Sequence, residues 1–149
     1  MNQRTFVALC CATLSISAVG VTYADSVTTF SQLKNPSSGA CLDSLGRAGT
    51  AGMYACHGKK GNQEWTFEAG KGELKNPSTG MCLDSFGKDH AIMVAACHGK
   101  GGNQAWVWDT GRGELRNPSS GQCVDSLGKT TGELKMYNCH GKQGNQEWR

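Results

Sequence analysis

Apolar and polar positions alternate over short stretches of this chain, and glycine-rich turns separate the stretches. In the first complete segment, strands are predicted over 41–43, 53–56 and 63–67, with a loop over 46–52. No segment carries an apolar stripe with a period of 3.6 residues, so helices are expected to be nearly absent. The pattern predicts an all-β protein of many short strands, and the 21 glycines favour the tight turns that such a protein needs.

The strand pattern occurs three times. Its first cysteine recurs every 41 residues, at 41, 82 and 123, and each copy closes on a tryptophan, at Trp65, Trp106 and Trp148. Trp106 and Trp148 are one residue further apart than Trp65 and Trp106, which shows that the third copy has one inserted residue. A period of this length is typical of folds assembled from repeats, here about 30–70, 71–111 and 112–149. Only Arg149 follows the last tryptophan, so the final strand is expected to be shorter than its counterparts.

Alternation along the predicted strands divides the side chains into an inward and an outward set. The expected core, which no single copy could bury alone, consists of four threefold-related sets: Leu33, Leu74 and Leu115; Leu42, Leu83 and Val124; Met53, Val94 and Met136; Trp65, Trp106 and Trp148. Ala55 is also predicted to face inward, and so are Gln63, Gln104 and Gln146, which should satisfy backbone groups near the core. The outward set of the first copy is Cys41, Asp43, Tyr54, Cys56, Asn62 and Glu64.

The beginning of the chain has the pattern of a secretory signal peptide over residues 1–24. A short positive start precedes an apolar stretch from Phe6 to Val21, and small residues stand at the cleavage site. A membrane anchor is disfavoured, because polar residues interrupt a run shorter than the ~20 apolar residues of a span. The remaining single domain, 25–149, carries 14 Lys+Arg against 12 Asp+Glu, a balance that does not argue for a nucleic-acid or anionic-membrane partner.

Six cysteines remain after this cleavage, two in each copy. An even number in a secreted chain predicts three disulfides, and of about 15 pairings the repeat symmetry favours Cys41 with Cys56, Cys82 with Cys97 and Cys123 with Cys139. A metal site is the alternative, because a histidine follows the second cysteine of each copy. Neighbouring strand residues point to opposite faces, however, and the paired ligand spacings of zinc sites are missing. No metal, calcium ion or other cofactor is therefore expected.

The outward set places a carboxylate, a phenol ring and a carboxamide around one cysteine pair. A carboxylate accepts hydrogen bonds from adjacent hydroxyls, a carboxamide donates and accepts, and an aromatic ring packs against the C–H face of a sugar. This combination suits a neutral sugar in a shallow site. So few contacts predict weak affinity, around 1 mM or roughly −4 kcal/mol, which several sites on one molecule would raise through avidity.

The Gln-x-Trp motifs that end at Trp65, Trp106 and Trp148, with Cys-Leu-Asp upstream, resemble those of the ricin-type (R-type) lectin family. The longer strings Cys-Leu-Asp-Ser-x-Gly and Cys-His-Gly-Lys-x-Gly-Asn-Gln are especially similar to the lectin domain of the polypeptide N-acetylgalactosaminyltransferases. The resemblance covers nearly all of Gln32 to Trp148. It implies a β-trefoil of three ~41-residue repeats with pseudo-threefold symmetry, with residues 25–149 as a ricin B-type lectin domain. It also implies that glycans ending in galactose or N-acetylgalactosamine, on glycoproteins or glycolipids, are the partners.

The resemblance also implies which residues line each site: the Cys-Leu-Asp aspartate, the aromatic residue two before the second cysteine, and the asparagine before Gln-x-Trp. Carried over by position, these are Asp43, Tyr54 and Asn62 in repeat one, and Asp125, Tyr137 and Asn145 in repeat three. Repeat two has Asp84 and Asn103 but Ala95 in place of the aromatic, so a weaker site is expected unless His98 or Phe86 substitutes. Contact from the rim and a role as an exposed turn residue remain alternatives for His57, His98 and His140.

An enzyme is the first rival class. Glycoside hydrolysis needs two carboxylates across one bond, whereas the three aspartates fall in separate repeats, and no Ser/His/Asp or nucleophilic cysteine set is present. The second rival is a β-trefoil that binds protein, such as a protease inhibitor, which has no need for a recurring Asp, Tyr and Asn. The sequence therefore predicts a secreted, extracellular glycan-binding protein without catalytic activity.

Overall fold

The computed structural model describes residues 26–149, so the predicted signal peptide lies outside the described residues. Within 26–149 the chain forms thirteen β-strands, no α-helix and three single turns of 3₁₀-helix, which confirms the all-β prediction. The strands are β1 Val27–Phe30, β2 Ala40–Asp43, β3 Gly49–Thr50, β4 Gly52–Ala55, β5 Trp65–Glu68, β6 Glu73–Asn76, β7 Met81–Asp84, β8 Met93–Ala96, β9 Val107–Asp109, β10 Glu114–Asn117, β11 Gln122–Asp125, β12 Gly132–Glu133 and β13 Lys135–Asn138. The 3₁₀ turns are Gly61–Gln63, Gly102–Gln104 and Gly144–Gln146.

Each repeat is built on one antiparallel pair: β2 with β4, β7 with β8, and β11 with β13. Further antiparallel pairs join the last strand of one repeat to the first strand of the next, β5 with β6 and β9 with β10. Contacts between repeats also run in a cycle, because β3 of repeat one pairs with β8, Ala91 of repeat two bridges Lys135, and β12 of repeat three pairs with β4. This is the threefold β-trefoil arrangement that the sequence predicted.

All twelve predicted core residues are buried, none with more than 2% of its surface exposed. The three tryptophans of Gln-x-Trp are held in register by their indole N–H groups, which donate to the backbone carbonyls of Leu42, Leu83 and Val124 at 3.0–3.1 Å. A buried indole whose only polar group is satisfied contributes a large apolar area without a desolvation penalty. The repeated apolar positions thus form one continuous core.

A further threefold set, Ala51, Ile92 and Leu134, is completely buried and was not predicted. The Ala51 N–H donates to Ile92 O at 2.9 Å, and the Ile92 N–H donates to Leu134 O at 3.1 Å, so these residues join the three repeats. The prediction of an unbroken loop over 46–52 is wrong at β3, because this segment pairs with a neighbouring repeat. A strand of two residues that forms only by pairing with another repeat is too short to show an alternation of apolar and polar side chains in the sequence.

Three asparagines hold each repeat to the one before it. Asn35, Asn76 and Asn117 are completely buried in the Asn-Pro-Ser turns. Each side-chain amide donates to two carbonyl oxygens of another repeat, those of the first residue of a 3₁₀ turn and of the residue that follows the turn, at 2.7–2.8 Å. Asn35 reaches Gly144 and Glu147 and thereby connects the first repeat to the third. The glycine that ends each turn has a positive φ, 75° at Gly39, as the turn chemistry predicts.

Some details of the alternation prediction are wrong. The strand predicted over 63–67 begins only at Trp65, since the 3₁₀ turn takes up Gln63. Ala55 is exposed rather than inward, because β4 ends there and the chain turns away from the core. Cys41 and Asp43 do lie on the opposite face from Leu42, but both are buried, the first by its disulfide partner and the second by a glutamine side chain.

The three predicted disulfides are confirmed: Cys41–Cys56, Cys82–Cys97 and Cys123–Cys139, with Cα–Cα distances of 5.0–5.1 Å. Three disulfides in one small domain indicate an extracellular or otherwise oxidising compartment. The described residues form no strand after Trp148, where a shortened strand was expected, but Arg149 exchanges two backbone hydrogen bonds with Lys34, at 2.7 and 2.9 Å. The end of repeat three is therefore attached to repeat one.

An aromatic cluster lies at one end of the core. The Phe30 ring of β1 stacks on Trp108 with centroids 4.5 Å apart, and Phe67 meets the edge of the same indole at 6.0 Å. These three side chains, together with Trp148 and Arg149, line a cavity of about 490 Å³. Phe67 and Trp108 each follow a Gln-x-Trp tryptophan by two residues. Phe30, near the start of the described chain, supplies the third aromatic ring.

Candidate functional site

The aspartate of the first Cys-Leu-Asp motif, Asp43, stands at the end of β2 with only 4% of its surface exposed. Its Oδ1 accepts a hydrogen bond from the Leu45 N–H at 2.7 Å, and its Oδ2 accepts one from Gln63 Nε2 at 3.0 Å. Each carboxylate oxygen keeps a second lone pair beyond the bond that it accepts here. The first of these bonds also holds Leu45 at φ 54°, a left-handed conformation that is uncommon for leucine.

The same construction is repeated in the other two copies. Asp84 accepts from the Phe86 N–H at 2.7 Å and from Gln104 at 3.1 Å, with Phe86 at φ 51°. Asp125 accepts from the Leu127 N–H at 2.7 Å and from Gln146 at 3.0 Å, with φ 55° at residue 127. The sequence does not reveal this coupling between aspartate and glutamine, because the two lie 20–21 residues apart.

Each of these glutamines also binds the backbone, as predicted. Gln63 Nε2 donates to Ala55 O at 3.0 Å, and its Oε1 accepts from the His57 N–H at 3.1 Å. The equivalent bonds of Gln104 and Gln146 have the same lengths. One buried amide therefore fixes the aspartate and the chain that follows the second strand of the repeat.

In repeat one the predicted residues surround one cavity. The cavity has a volume of about 260 Å³ and is lined by Asp43, Leu45, Tyr54, His57 and Asn62. Tyr54 keeps 55% of its surface exposed, so a face of its ring is open to a ligand. Leu45 was not predicted as a site residue. The sequence feature that could have indicated it is its position two residues after the aspartate, because the hydrogen bond from its N–H to Asp43 determines where it lies.

Asn62 lies against the turn that follows the aspartate, because that turn has a glycine there. A Cβ atom on Gly46 would stand 3.2 Å from Asn62 Oδ1, and Gly46 also has φ +67°, so a side chain is doubly disfavoured. In repeat three Gly128 and Asn145 have the same relationship, with 3.5 Å between the corresponding positions. In both repeats the carboxamide therefore lies against the glycine of the turn that follows the aspartate.

Repeat two departs from this arrangement. The neighbour of Gly87 is His90, at 3.5 Å from the position of a Cβ, and no atom of Asn103 comes within 4 Å. Asn103 is accordingly exposed, whereas its two counterparts are half-buried. Phe86 is 60% exposed, and its ring and that of His90 meet edge to face with centroids 6.0 Å apart.

The three rim histidines share one structural role. The Nδ1 atoms of His57, His98 and His140 accept from the backbone N–H groups of Lys59, Lys100 and Lys142, all at 3.1 Å. In a neutral imidazole that accepts at Nδ1, the proton is on Nε2, which then is a donor. The turn role and a contact with ligand are therefore compatible, and His57 does line the cavity of repeat one.

Repeat three keeps the strand register and the local hydrogen bonds of repeat one. Tyr137 pairs with Cys123 just as Tyr54 pairs with Cys41, and it is equally exposed at 55%. Asp125, His140 and Asn145 make the same local hydrogen bonds as their counterparts. In repeat two the register is also kept, Cys82 opposite Ala95, but no ring stands there.

Residues 26–149 contain no group of three or more His, Cys, Asp or Glu side chains placed to hold a metal ion. Within the same residues, no helix has the length and apolar character required to cross a bilayer.

The family model of the ricin-type beta-trefoil lectin domain matches residues 29–148, and the chain belongs to this family. Solved structures that are similar to this chain include the following three. The hemolytic lectin CEL-III is 28% identical, with a TM-score of 0.67 over 79% of this chain and 29% of its own. The designed threefold symmetric protein ThreeFoil is 26% identical, with a TM-score of 0.67 over 79% of this chain and 94% of its own.

The third structure is a non-toxic homologue of type II RIPs from Momordica charantia (bitter gourd), solved in complex with alpha-methyl-D-galactoside. It is 20% identical, with a TM-score of 0.66 over 83% of this chain and 47% of its own, and at that identity it shows the fold alone. This chain spans well under half the length of CEL-III, so the activity of that whole protein is not carried over. No curated protein matches the sequence.

Proposed function

We propose that this protein is a secreted lectin that binds glycans ending in galactose or N-acetylgalactosamine, without catalysis, through shallow sites in repeats one and three. The observation that carries the proposal is the cavity of repeat one, where Asp43, Tyr54, His57 and Asn62 come together. The register and hydrogen bonds that repeat three shares with repeat one support a second site, which would make the protein bivalent.

The chemistry of the cavity suits a pyranose. Asp43 accepts hydrogen bonds from two adjacent ring hydroxyls, and Asn62 supplies both a donor and an acceptor. His57 donates from Nε2 at the rim. Tyr54 packs against the C–H face of the sugar. In galactose the axial 4-hydroxyl stands on the opposite face of the ring, so it leaves this C–H face free. Because the cavity is shallow and open, a single site binds weakly, and a clustered glycan that reaches two sites binds more tightly.

Three further observations support the proposal. The family is that of ricin-type lectins, one structural neighbour was solved with a galactoside, and the repeated motifs resemble those of the N-acetylgalactosaminyltransferase lectin domains. Secretion is supported by the three disulfides and by the signal-peptide pattern of residues 1–24. Repeat two, which has no ring at Ala95 and an outward Asn103, binds sugar weakly or not at all.

The experiment that tests the proposal is binding of the oxidised 25–149 protein to a panel of immobilised glycans, with free galactose and N-acetylgalactosamine as competitors. Binding that either sugar displaces, and that the Tyr54→Ala/Tyr137→Ala double variant loses, supports it. Phe86→Ala is the matched control, since it also removes an exposed ring but leaves both sites intact. A folded protein that binds no glycan, or a double variant that binds as the original does, overturns it and favours a protein-binding β-trefoil such as a protease inhibitor.

A further inference from the structure

A second cavity adjoins the sugar pocket of repeat one. It has a volume of about 390 Å³, and Leu45 and Tyr54 line both cavities, so these two side chains are a shared wall. Both are substantially exposed, at 41% and 55%. A ligand that lies over this wall can therefore occupy the pocket and the second cavity, here called the groove, at the same time.

The groove exists because repeat one has a glycine where the other repeats have long side chains. Gly52 aligns with Met93 of repeat two and Lys135 of repeat three. In every repeat this is the residue just before the inward-facing residue of the second strand. A Cβ atom on Gly52 would stand 3.3 Å from Leu45 Cδ1, so even a methyl group would crowd the shared wall. The pseudo-threefold symmetry is thus broken at this point in favour of an open surface.

The opposite wall of the groove comes from repeat three. The loop between Gly128 and Leu134 contains the one residue by which this repeat is longer than the others. The end of that loop forms β12, which pairs with β4 so that Gly132 lies opposite Met53 and Glu133 opposite Gly52. The longer loop therefore borders the groove of repeat one and gives it a rim that only the folded trefoil assembles.

The lining has the character of a sugar subsite. Its floor is apolar, with Ala51 and Met53 buried, and its rim carries a guanidinium, two hydroxyls and a carboxylate. Within residues 26–149 none of these rim side chains is engaged in a hydrogen bond or ion pair. An apolar floor under free donors and acceptors of both charges suits a neutral polyhydroxy ligand better than an anion or a lipid chain. The rim residues are Arg47, Thr50, Thr131 and Glu133.

We propose that the groove binds the second sugar unit of a glycan whose terminal unit occupies the pocket at Asp43. The inference rests on the proposed lectin function and deepens it: repeat one recognises an oligosaccharide, whereas repeat three, with Lys135 in place of the glycine, recognises a single sugar. The two sites of one molecule then differ in specificity although their pocket residues are the same.

The test measures each site separately by titration calorimetry, with methyl α-galactoside and galactose-terminated disaccharides and trisaccharides of differing linkage as probes. In the Tyr137→Ala background, where repeat one is the intact site, the best oligosaccharide is expected to bind about tenfold more tightly than the methyl galactoside. In the Tyr54→Ala background, where repeat three is intact, the same probes should agree within about twofold.

Adding Arg47→Ala and Glu133→Ala to the Tyr137→Ala background should remove the oligosaccharide preference and leave the affinity for methyl galactoside unchanged. Lys88→Ala, at the position in repeat two that corresponds to Arg47, is the control and should change neither affinity. Methyl galactoside binding without any oligosaccharide preference, or a preference that survives the double substitution, overturns the groove assignment and leaves the lectin function standing. No binding of any probe overturns both.

Discussion

Gln63 donates a hydrogen bond from Nε2 to Oδ2 of Asp43 at 3.0 Å, and both side chains are almost completely buried. This contact connects the two motifs of the repeat, because the glutamine begins Gln-x-Trp and the aspartate ends Cys-Leu-Asp. The same amide binds Ala55 O and the His57 N–H. The motif therefore does more than place a tryptophan in the core: it holds the aspartate, the second strand and the rim histidine in one arrangement.

Gln63→Ala should destabilise the protein and disable only the first site. The substitution leaves a carboxylate oxygen, a carbonyl and an N–H without their partner, at a cost of about 2 kcal/mol in the free energy of unfolding. We expect urea denaturation to show that loss and calorimetry to show one sugar site fewer. The mirror variant Gln146→Ala should disable repeat three instead. Unchanged stoichiometry in both variants would show that the glutamines do not position the aspartates.

Ala95→Tyr should create a third, weak site in repeat two. Ala95 lies opposite Cys82 in the same register that places Tyr54 opposite Cys41, so the new ring would stand where the other repeats present theirs. The number of sites found by titration should rise from two to three, with the added site the weakest because Asn103 is exposed. Ala96→Tyr, one strand position away, is the control and should add no site. If Ala95→Tyr also adds none, the missing ring is not what limits repeat two.

Asn76→Ala should weaken the attachment of repeat two to repeat one. The variant loses two bonds from the side-chain amide, to Gly61 O and Glu64 O, and the acceptor of the Thr79 N–H. With three partly buried backbone groups left unpaired, the free energy of unfolding should fall by about 2–3 kcal/mol. Ser78→Ala changes an exposed residue of the same turn and should fall within about 0.5 kcal/mol of the original protein. Equal stabilities of the two variants would contradict this role.

Removal of the second disulfide, by Cys82→Ala/Cys97→Ala, should lower stability and leave sugar binding intact. The bond closes a loop with a sequence separation of 15, for which the chain-entropy model gives about 3 kcal/mol. Because the affected repeat lacks a complete site, galactose affinity measured well below the unfolding midpoint should not change. A loss of affinity without unfolding would show that repeat two supports the sites of its neighbours.

The core and the disulfides could be predicted from the sequence because three copies report the same positions. Leu42, Leu83 and Val124 illustrate this: each stands between a cysteine and an aspartate, and alternation places all three in the interior. The lining of the first pocket was likewise predictable, apart from Leu45, since its residues recur at fixed distances from the cysteines.

Features that depend on contact between repeats could not be predicted. Ala51 is too small and too close to glycines to indicate a core position, yet its pairing with Ile92 buries it completely. The groove depends on Gly52 in one repeat and on the longer loop of another, so no alternation within a single copy could reveal it. Asn35 and its counterparts looked like turn residues, and only the folded ring of repeats shows the carbonyls that they bind.

The most direct test of sugar binding at these two sites is an NMR titration of the ¹⁵N-labelled, oxidised 25–149 protein with galactose or N-acetylgalactosamine, followed through the backbone amide signals. The expected shifts are at Asp43, Leu45, Tyr54, His57 and Asn62, and at the equivalent positions of repeat three, with much smaller changes around Asp84. Shifts that cluster elsewhere, for example around the cavity beside Phe30 and Trp108, or no shifts at millimolar sugar, would contradict it.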